Sequence, residues 1–216
     1  MQPYFAPYAG YFRLFAAADL FVIYDCVQFP RRGWVHRNRL PLHSGALDWL
    51  TLPLKKSVRE TVIRDIAFSS GARERFDSEA KRFPALDAHG PLGWLNDPLR
   101  DFSVDPVDYI ERLLQACNIA LNLPYNTIRS STFGVETHIR GEERIIEILR
   151  RTGATQYVNS PGGRALYRPA RFAETGIQLA FLGEYDAPSA SILHRLATEP
   201  TAVLRREILA RCELGS

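Results

Sequence analysis

The segment Tyr24-Asp25-Cys26-Val27-Gln28-Phe29 sets a carboxylate, a thiol and an amide just past a continuous apolar run. A carboxylate in that position suits a general base, or a partner for a cation or hydroxyl. The competing reading is a turn aspartate that caps its own backbone. Cys26 could serve as a nucleophile, but an adjacent carboxylate disfavours the thiolate, so a bystander thiol fits better. A few residues on, Arg31-Arg32-Gly33-Trp34-Val35-His36-Arg37-Asn38-Arg39 places four arginines in nine residues around an indole. Guanidinium forks match phosphate or carboxylate oxygens in two-point contacts. Trp34 can stack on a ring and Asn38 can orient a hydroxyl or amide. A solvated basic loop is the competing reading, and the better one for Arg31 and Arg39. Lys55 and Lys56 close Thr51-Leu52-Pro53-Leu54 and either reach the same anion or snorkel at the surface.

The opening Gln2-Pro3-Tyr4-Phe5-Ala6-Pro7-Tyr8-Ala9-Gly10-Tyr11-Phe12 is stiffened by two prolines, and Gly10 permits close approach. Its tyrosines offer flat apolar faces with polar tips, which suits a wall that stacks a ring and hydrogen-bonds its edge. An aromatic plug on the core explains them equally well. Asn159-Ser160-Pro161-Gly162-Gly163 can turn backbone N–H groups toward an anion, but lacks the spacing of a Walker loop or a dinucleotide fingerprint, so a plain turn is favoured.

These groups need elements to hold them. Leu20–Tyr24 reads as a buried strand that delivers Asp25 to a sheet edge, where open α/β sheets take ligands. Trp49–Leu54, Val62–Phe68, Tyr125–Ser130, Gln156–Val158 and Ile177–Leu182 read as further strands. Leu14–Ala18 is a short helix, and Pro106–Cys117 is a helix capped by Asp105. Glu142–Arg151 is an amphipathic helix stopped by Gly153, with Ser191–Leu196 and Ala202–Arg211 after it. The alternation predicts one α/β domain over residues 1–216, with a central, mostly parallel sheet flanked by helices and a helical insertion at about 69–118.

Composition sets the outer bounds. The chain has 216 residues and a net charge of +3, from 27 Lys+Arg against 24 Asp+Glu. That excess is too mild to favour nucleic acid. No apolar run approaches the roughly 20 residues of a membrane span. Cys26, Cys117 and Cys212 lie far apart, which argues against a zinc site or a disulfide framework, and the five histidines show no ligand spacing. The start has no basic segment followed by an apolar one, so a cytoplasmic setting is expected and no cofactor is required.

Gln2–Phe12, Asp25–Phe29, Arg32–Asn38 and Leu50–Lys55, in this order, resemble the WbqC-like protein family. That family opens on Gln-Pro-x-Phe/Tyr-x-Pro-x-x-Gly-Tyr-Phe. It continues with Asp-x-Val-Gln-Phe, a basic-Gly/Ser-Trp-x-x-Arg-Asn block and a Leu-Thr-x-Pro-hydrophobic-Lys strand. Ser130-Ser131, Gly153–Asn159, Gly162–Tyr167 and Ser191-Ile192-Leu193 fit more loosely. The family's first strand precedes the Gln-Pro, so the resemblance implies a shortened strand here or a start upstream of Met1. It also implies a biosynthetic role in surface-glycan or secondary-metabolite synthesis. The expected reaction is modification of an activated amino sugar by acyl or aminoacyl transfer. The expected partners are a small-molecule substrate, such as a nucleotide-sugar, and an acyl donor. On this reading Gln2, Tyr4, Tyr8, Gly10 and Tyr11 form a pocket wall with Asp25 and Gln28. Arg32, Arg37 and Lys55 bind an anion, Trp34 stacks, Asn38 orients, and Asp25 is the general base. Two other readings are an ATP-dependent carboxylate-activating enzyme and a non-catalytic carrier or scaffold of a biosynthetic complex.

Overall fold

Aromatic side chains from the first residues organise the core. Phe5, Tyr11, Phe12 and Phe15 are buried, and Phe15 stacks on Phe21 with ring centroids 4.1 Å apart. A computed structural model describes residues 1–215. A short helix α1 (Arg13–Ala17) leads into strand β1 (Phe21–Ile23). Strands β2 (Arg37–Pro41) and β3 (Leu47–Thr51) form an antiparallel hairpin. Helices α2 (Ala72–Ala80), α3 (Asn96–Leu99) and α4 (Pro106–Ala120) make up the insertion, and strand β4 (Thr127–Arg129) follows. The second half runs α5 (Gly141–Thr152), β5 (Gln156–Asn159), α6 (Pro169–Ala173) and β6 (Gln178–Leu182). It ends with α7 (Ile192–Thr198), α8 (Thr201–Ala210) and β7 (Leu214–Gly215).

The class is the mixed α/β expected, in a single domain with parallel strand pairs. β1 pairs with β4 and β5 with β6, both parallel. The strands are divided among three small sheets rather than gathered in one. Two local causes account for this. The short turn after β2 forces β3 back antiparallel, as short connections do. The facing edges of β1 and β5 are separated by a cavity of about 410 Å³ lined by Phe21, Val22, Tyr157 and Val158. The strand expected over Val62–Phe68 does not form. Ile63 and Ile66 are buried at a spacing of three, which a 3-10 turn over Ile63–Asp65 brings to one side.

The insertion shares the main core: Phe76, Phe83, Leu95 and Tyr109 belong to the same cluster as Phe5 and Phe12. Asp105 caps α4 by accepting from the Val107 and Asp108 N–H groups at 2.9 Å each. Helix α5 has Glu142 and Glu143 in its first turn, Arg150 and Arg151 in its last, and left-handed Gly153 beyond it. All three features favour a helix with those ends. Arg195 on α7 is nearly fully buried and ties α7 to α8 through Glu199, Glu207 and Tyr185. Among the described residues no helix is long and apolar enough to cross a membrane.

The opening motif is locked onto the hairpin through Asn38. Its Nδ2 donates to the carbonyls of Phe5 (3.1 Å) and Ala6 (2.8 Å). Ser191 Oγ donates to the same Ala6 carbonyl at 2.7 Å. Ala6 has φ of 43°, in the left-handed region an L-residue seldom visits, so these bonds hold a strained turn. Asn38→Ala leaves the buried Phe5 carbonyl without a donor and the Ala6 carbonyl with Ser191 alone, and a loss of about 1–3 kcal/mol is expected in urea unfolding. A variant as stable as the parent would show that the motif does not depend on this contact.

Candidate functional site

Strands β1 and β4 run parallel in the register Ile23↔Arg129, so their carboxyl ends release Asp25 and Ser130-Ser131 side by side. Asp25 is completely buried. Its Oδ1 accepts from Ser130 Oγ and the Ser131 N–H, both at 2.9 Å, and its Oδ2 accepts from Ser131 Oγ at 2.6 Å. In return Ser130 Oγ accepts from the Asp25 N–H at 3.1 Å and the Cys26 N–H at 3.3 Å. A buried carboxylate must be saturated with donors in this way to remain in the interior.

Arg144 closes the same cluster from α5. It is buried, and its Nε donates to the Ile139 carbonyl at 2.7 Å. Its Nη1 donates to the Cys26 carbonyl at 3.2 Å and its Nη2 to the Glu136 carbonyl at 2.9 Å. Nη1 also lies 3.3 Å from Cys26 Sγ. The guanidinium thereby fastens the loop before α5 against the end of β1.

In front of this cluster opens a cavity of about 560 Å³. Cys26, Gln28, Ser130, Ser131 and Arg144 line it, and Asp25 sits behind the two serines. Among the described residues its lining carries four arginines, Arg59, Arg64, Arg140 and Arg144, against one carboxylate, Glu60. Arg64 shares its charge with Asp65 at 3.6 Å. Gln28 holds the rim by donating from Nε2 to the Arg59 carbonyl at 2.6 Å.

The expected site residues do not converge on one place. Asp25 and Gln28 belong to this cavity. The opening motif lines none of it. Gln2 accepts from the Tyr11 hydroxyl through its carbonyl at 2.7 Å, and half-buried Tyr4 leans on buried Tyr11 with centroids 5.3 Å apart. Tyr8 packs edge-on against Tyr185. A Cβ on Gly10 would lie 2.3 Å from the Tyr8 ring and 2.7 Å from Tyr185, so Gly10 is required by that packing. Trp34 and Arg37 lie on the outer face of the hairpin with exposed Arg32 beside them, since Arg37 Nη2 donates to the Arg32 carbonyl at 2.7 Å. Asn38 points inward as a structural pin. Exposed Lys55 borders a separate recess with Phe68, Arg73 and Arg100.

Ser131 and all four arginines of the cavity, Arg59, Arg64, Arg140 and Arg144, escaped the sequence reading. Ser131 follows a strand just as Asp25 does, so pairing the two strands would have found it. Arg144 stands four residues before Ile148 on the apolar stripe of α5, a place where a charge needs a buried partner. Arg13 was also missed. It is buried, with Nη1 donating to the Gly183 and Arg211 carbonyls at 2.9 Å each, so it joins the two chain ends.

His36, on the same chain segment, packs its ring on Phe29. Burial, and then the neighbouring Arg37 charge, hold its pKa down at about 4 from an ordinary 6.5. The unfolded chain therefore binds a proton between those values that the folded chain refuses, and stability falls as pH drops from 6.5 toward 4. His36→Phe removes this component. Its melting temperature should gain on the parent's progressively across that window, and a constant difference would contradict the assignment.

The profile of the WbqC-like protein family matches residues 2–189. The chain is 28% identical over 205 residues to the uncharacterized protein Rv1507c of Mycobacterium tuberculosis, covering 86% of this chain and 81% of that one. No solved structure matches.

Proposed function

The chain belongs to the WbqC-like protein family, and from that premise we propose a biosynthetic enzyme that acylates or aminoacylates the amine of an activated amino sugar or related small molecule. The cavity before Asp25 is its reaction chamber. The observation that carries this reading is the cavity's charge: about 560 Å³ lined by four arginines and one carboxylate. That volume lies within the range of small-molecule sites, and the charge suits a substrate bearing phosphates.

The buried carboxylate cannot touch a substrate directly, so Ser131 is the intermediary. Ser131 lines the cavity and its Oγ donates to Asp25 Oδ2 at 2.6 Å. The substrate amine attacks the carbonyl carbon of a thioester donor and forms the amide bond, and the donor's thiolate leaves with the electron pair of the broken C–S bond. The amine's surplus proton passes to Ser131 Oγ as the hydroxyl proton moves to Asp25. The leaving thiolate then recovers that proton from Asp25 through Ser131, so atoms and charge balance. Asp25 is thus a base that works through a hydroxyl, while Arg144 positions the end of β1.

A thermal-shift screen against nucleotide-sugars, acyl-coenzyme A thioesters, amino acids and ATP tests the substrate class. A ligand at 100 times its dissociation constant adds about 2.7 kcal/mol, which is readily seen. Stabilisation by a nucleotide-sugar or acyl donor supports the reading; stabilisation by ATP alone moves it to carboxylate activation. With the substrate in hand, Ser131→Ala should lower kcat by about 10²–10⁴-fold with KM little changed. An unaltered kcat would remove the relay.

A further inference from the structure

The outer face of the hairpin holds cationic donors that the protein itself does not use. Residues of β2 alternate, so Asn38 and Leu40 face the core while Arg37 and Arg39 face out, with Trp49 paired across from Arg39. Trp34, from the turn before β2, joins them. The Arg37 guanidinium lies 4.0 Å from the Trp49 ring centroid, and that of Arg39 lies 5.7 Å from Trp49 and 6.0 Å from Trp34. The two indoles are 5.3 Å apart, tilted at 46°. Stacking of this kind holds a guanidinium by its face and leaves the N–H edge for a ligand.

Few donors of the two guanidiniums are spent, Arg37 Nη2 on the Arg32 carbonyl being one. Nε of Arg37 and Nε of Arg39 are both buried and have no acceptor. Among the described residues neither arginine forms an ion pair, and the Arg39 guanidinium makes no hydrogen bond at all. Other half-buried arginines of this chain behave differently. Arg129 is paired with Asp108 and Glu111, and Arg100 with Asp77. The hairpin's own carboxylate, Asp48, is taken by Arg82. Trp34 remains 37% exposed and offers a ring face.

We propose that this face binds the diphosphate of a nucleoside diphosphate group, its oxygens across the edges of Arg37 and Arg39 and its base against Trp34. Two adjacent forks suit two linked phosphates, and the free indole suits a planar base. The site stands independently of the reaction assigned to the cavity.

The test is a tryptophan-fluorescence titration of the full-length protein with uridine diphosphate and with inorganic pyrophosphate. Both should quench the emission. Arg37→Ala and Arg39→Ala should each weaken both ligands by about tenfold or more. Arg39→Lys should weaken them nearly as much, because the charge is kept but the planar fork is lost. Trp34→Ala, read by calorimetry, should weaken the nucleotide and spare pyrophosphate. An unchanged melting temperature for Arg39→Lys separates lost binding from lost folding. Absence of binding by about 10 mM overturns the proposal. So does binding undiminished in both alanine variants, which would place the diphosphate in the cavity. Affinity that rises with the length of an oligonucleotide would also overturn it, and would assign the face to single-stranded nucleic acid.

Discussion

The buried Asp25 carboxylate is the interaction on which the candidate site depends. It carries an anionic group into an interior that tolerates one only when every oxygen is met by a donor, and the turn after β4 supplies those donors. The consequence is geometric. The ends of two strands far apart in sequence are held at a fixed separation, and Cys26, Gln28 and Ser131 inherit their positions from that junction. Arg144 then fastens the loop before α5 to the same point. The cavity wall is therefore braced around Asp25 and Ser131, while Arg59, Arg64 and Arg140 line the same cavity as exposed side chains.

A second junction supports the first. The opening motif, the hairpin and the residue before α7 meet at the Ala6 carbonyl, where Asn38 and Ser191 both donate. Arg13 adds the Gly183 and Arg211 carbonyls. Polar side chains buried at these three points thus do the joining that a single continuous sheet would do in a larger α/β protein. This explains how three small sheets hold together over a main core and a second cluster of Ile145, Ile146, Leu149, Phe172 and Ile177.

The legible parts of this protein are those governed by local rules. The Asp105 cap, the Gly153 stop and the apolar stripe of α5 can be read directly, because each is decided by neighbours within a turn or two. Asp25 and Gln28 at the cavity follow from the strand-end rule. The hairpin was less legible: Arg39 looks like part of a solvated loop until Trp49 is seen across from it, and that pairing is a property of register. The tyrosines of the opening motif were ambiguous for a related reason. An aromatic residue that walls a pocket and one that plugs a core have the same sequence signature, and only burial separates Tyr11 from Tyr4. Ser131 and Arg144 gain their meaning from contacts to residue 25 or 26, which no local pattern reveals.

The separation between Asp25 and Ser130 is 105 residues, and the parallel pairing of β1 with β4 spans the whole helical insertion. During synthesis, the aromatic opening segment and β1 leave the ribosome long before β4 exists. Until then β1 has no β4 partner and Asp25 lacks its donors, while the core rings lack α4. Contacts of such long range form slowly, because a large loop must be ordered before any of them is made. The unpaired strand and the cluster of Phe and Tyr side chains are the surface through which a half-made chain aggregates. The same junction that positions the site therefore waits on the packing of residues 69–118, and ties the yield of folded protein to how quickly they pack.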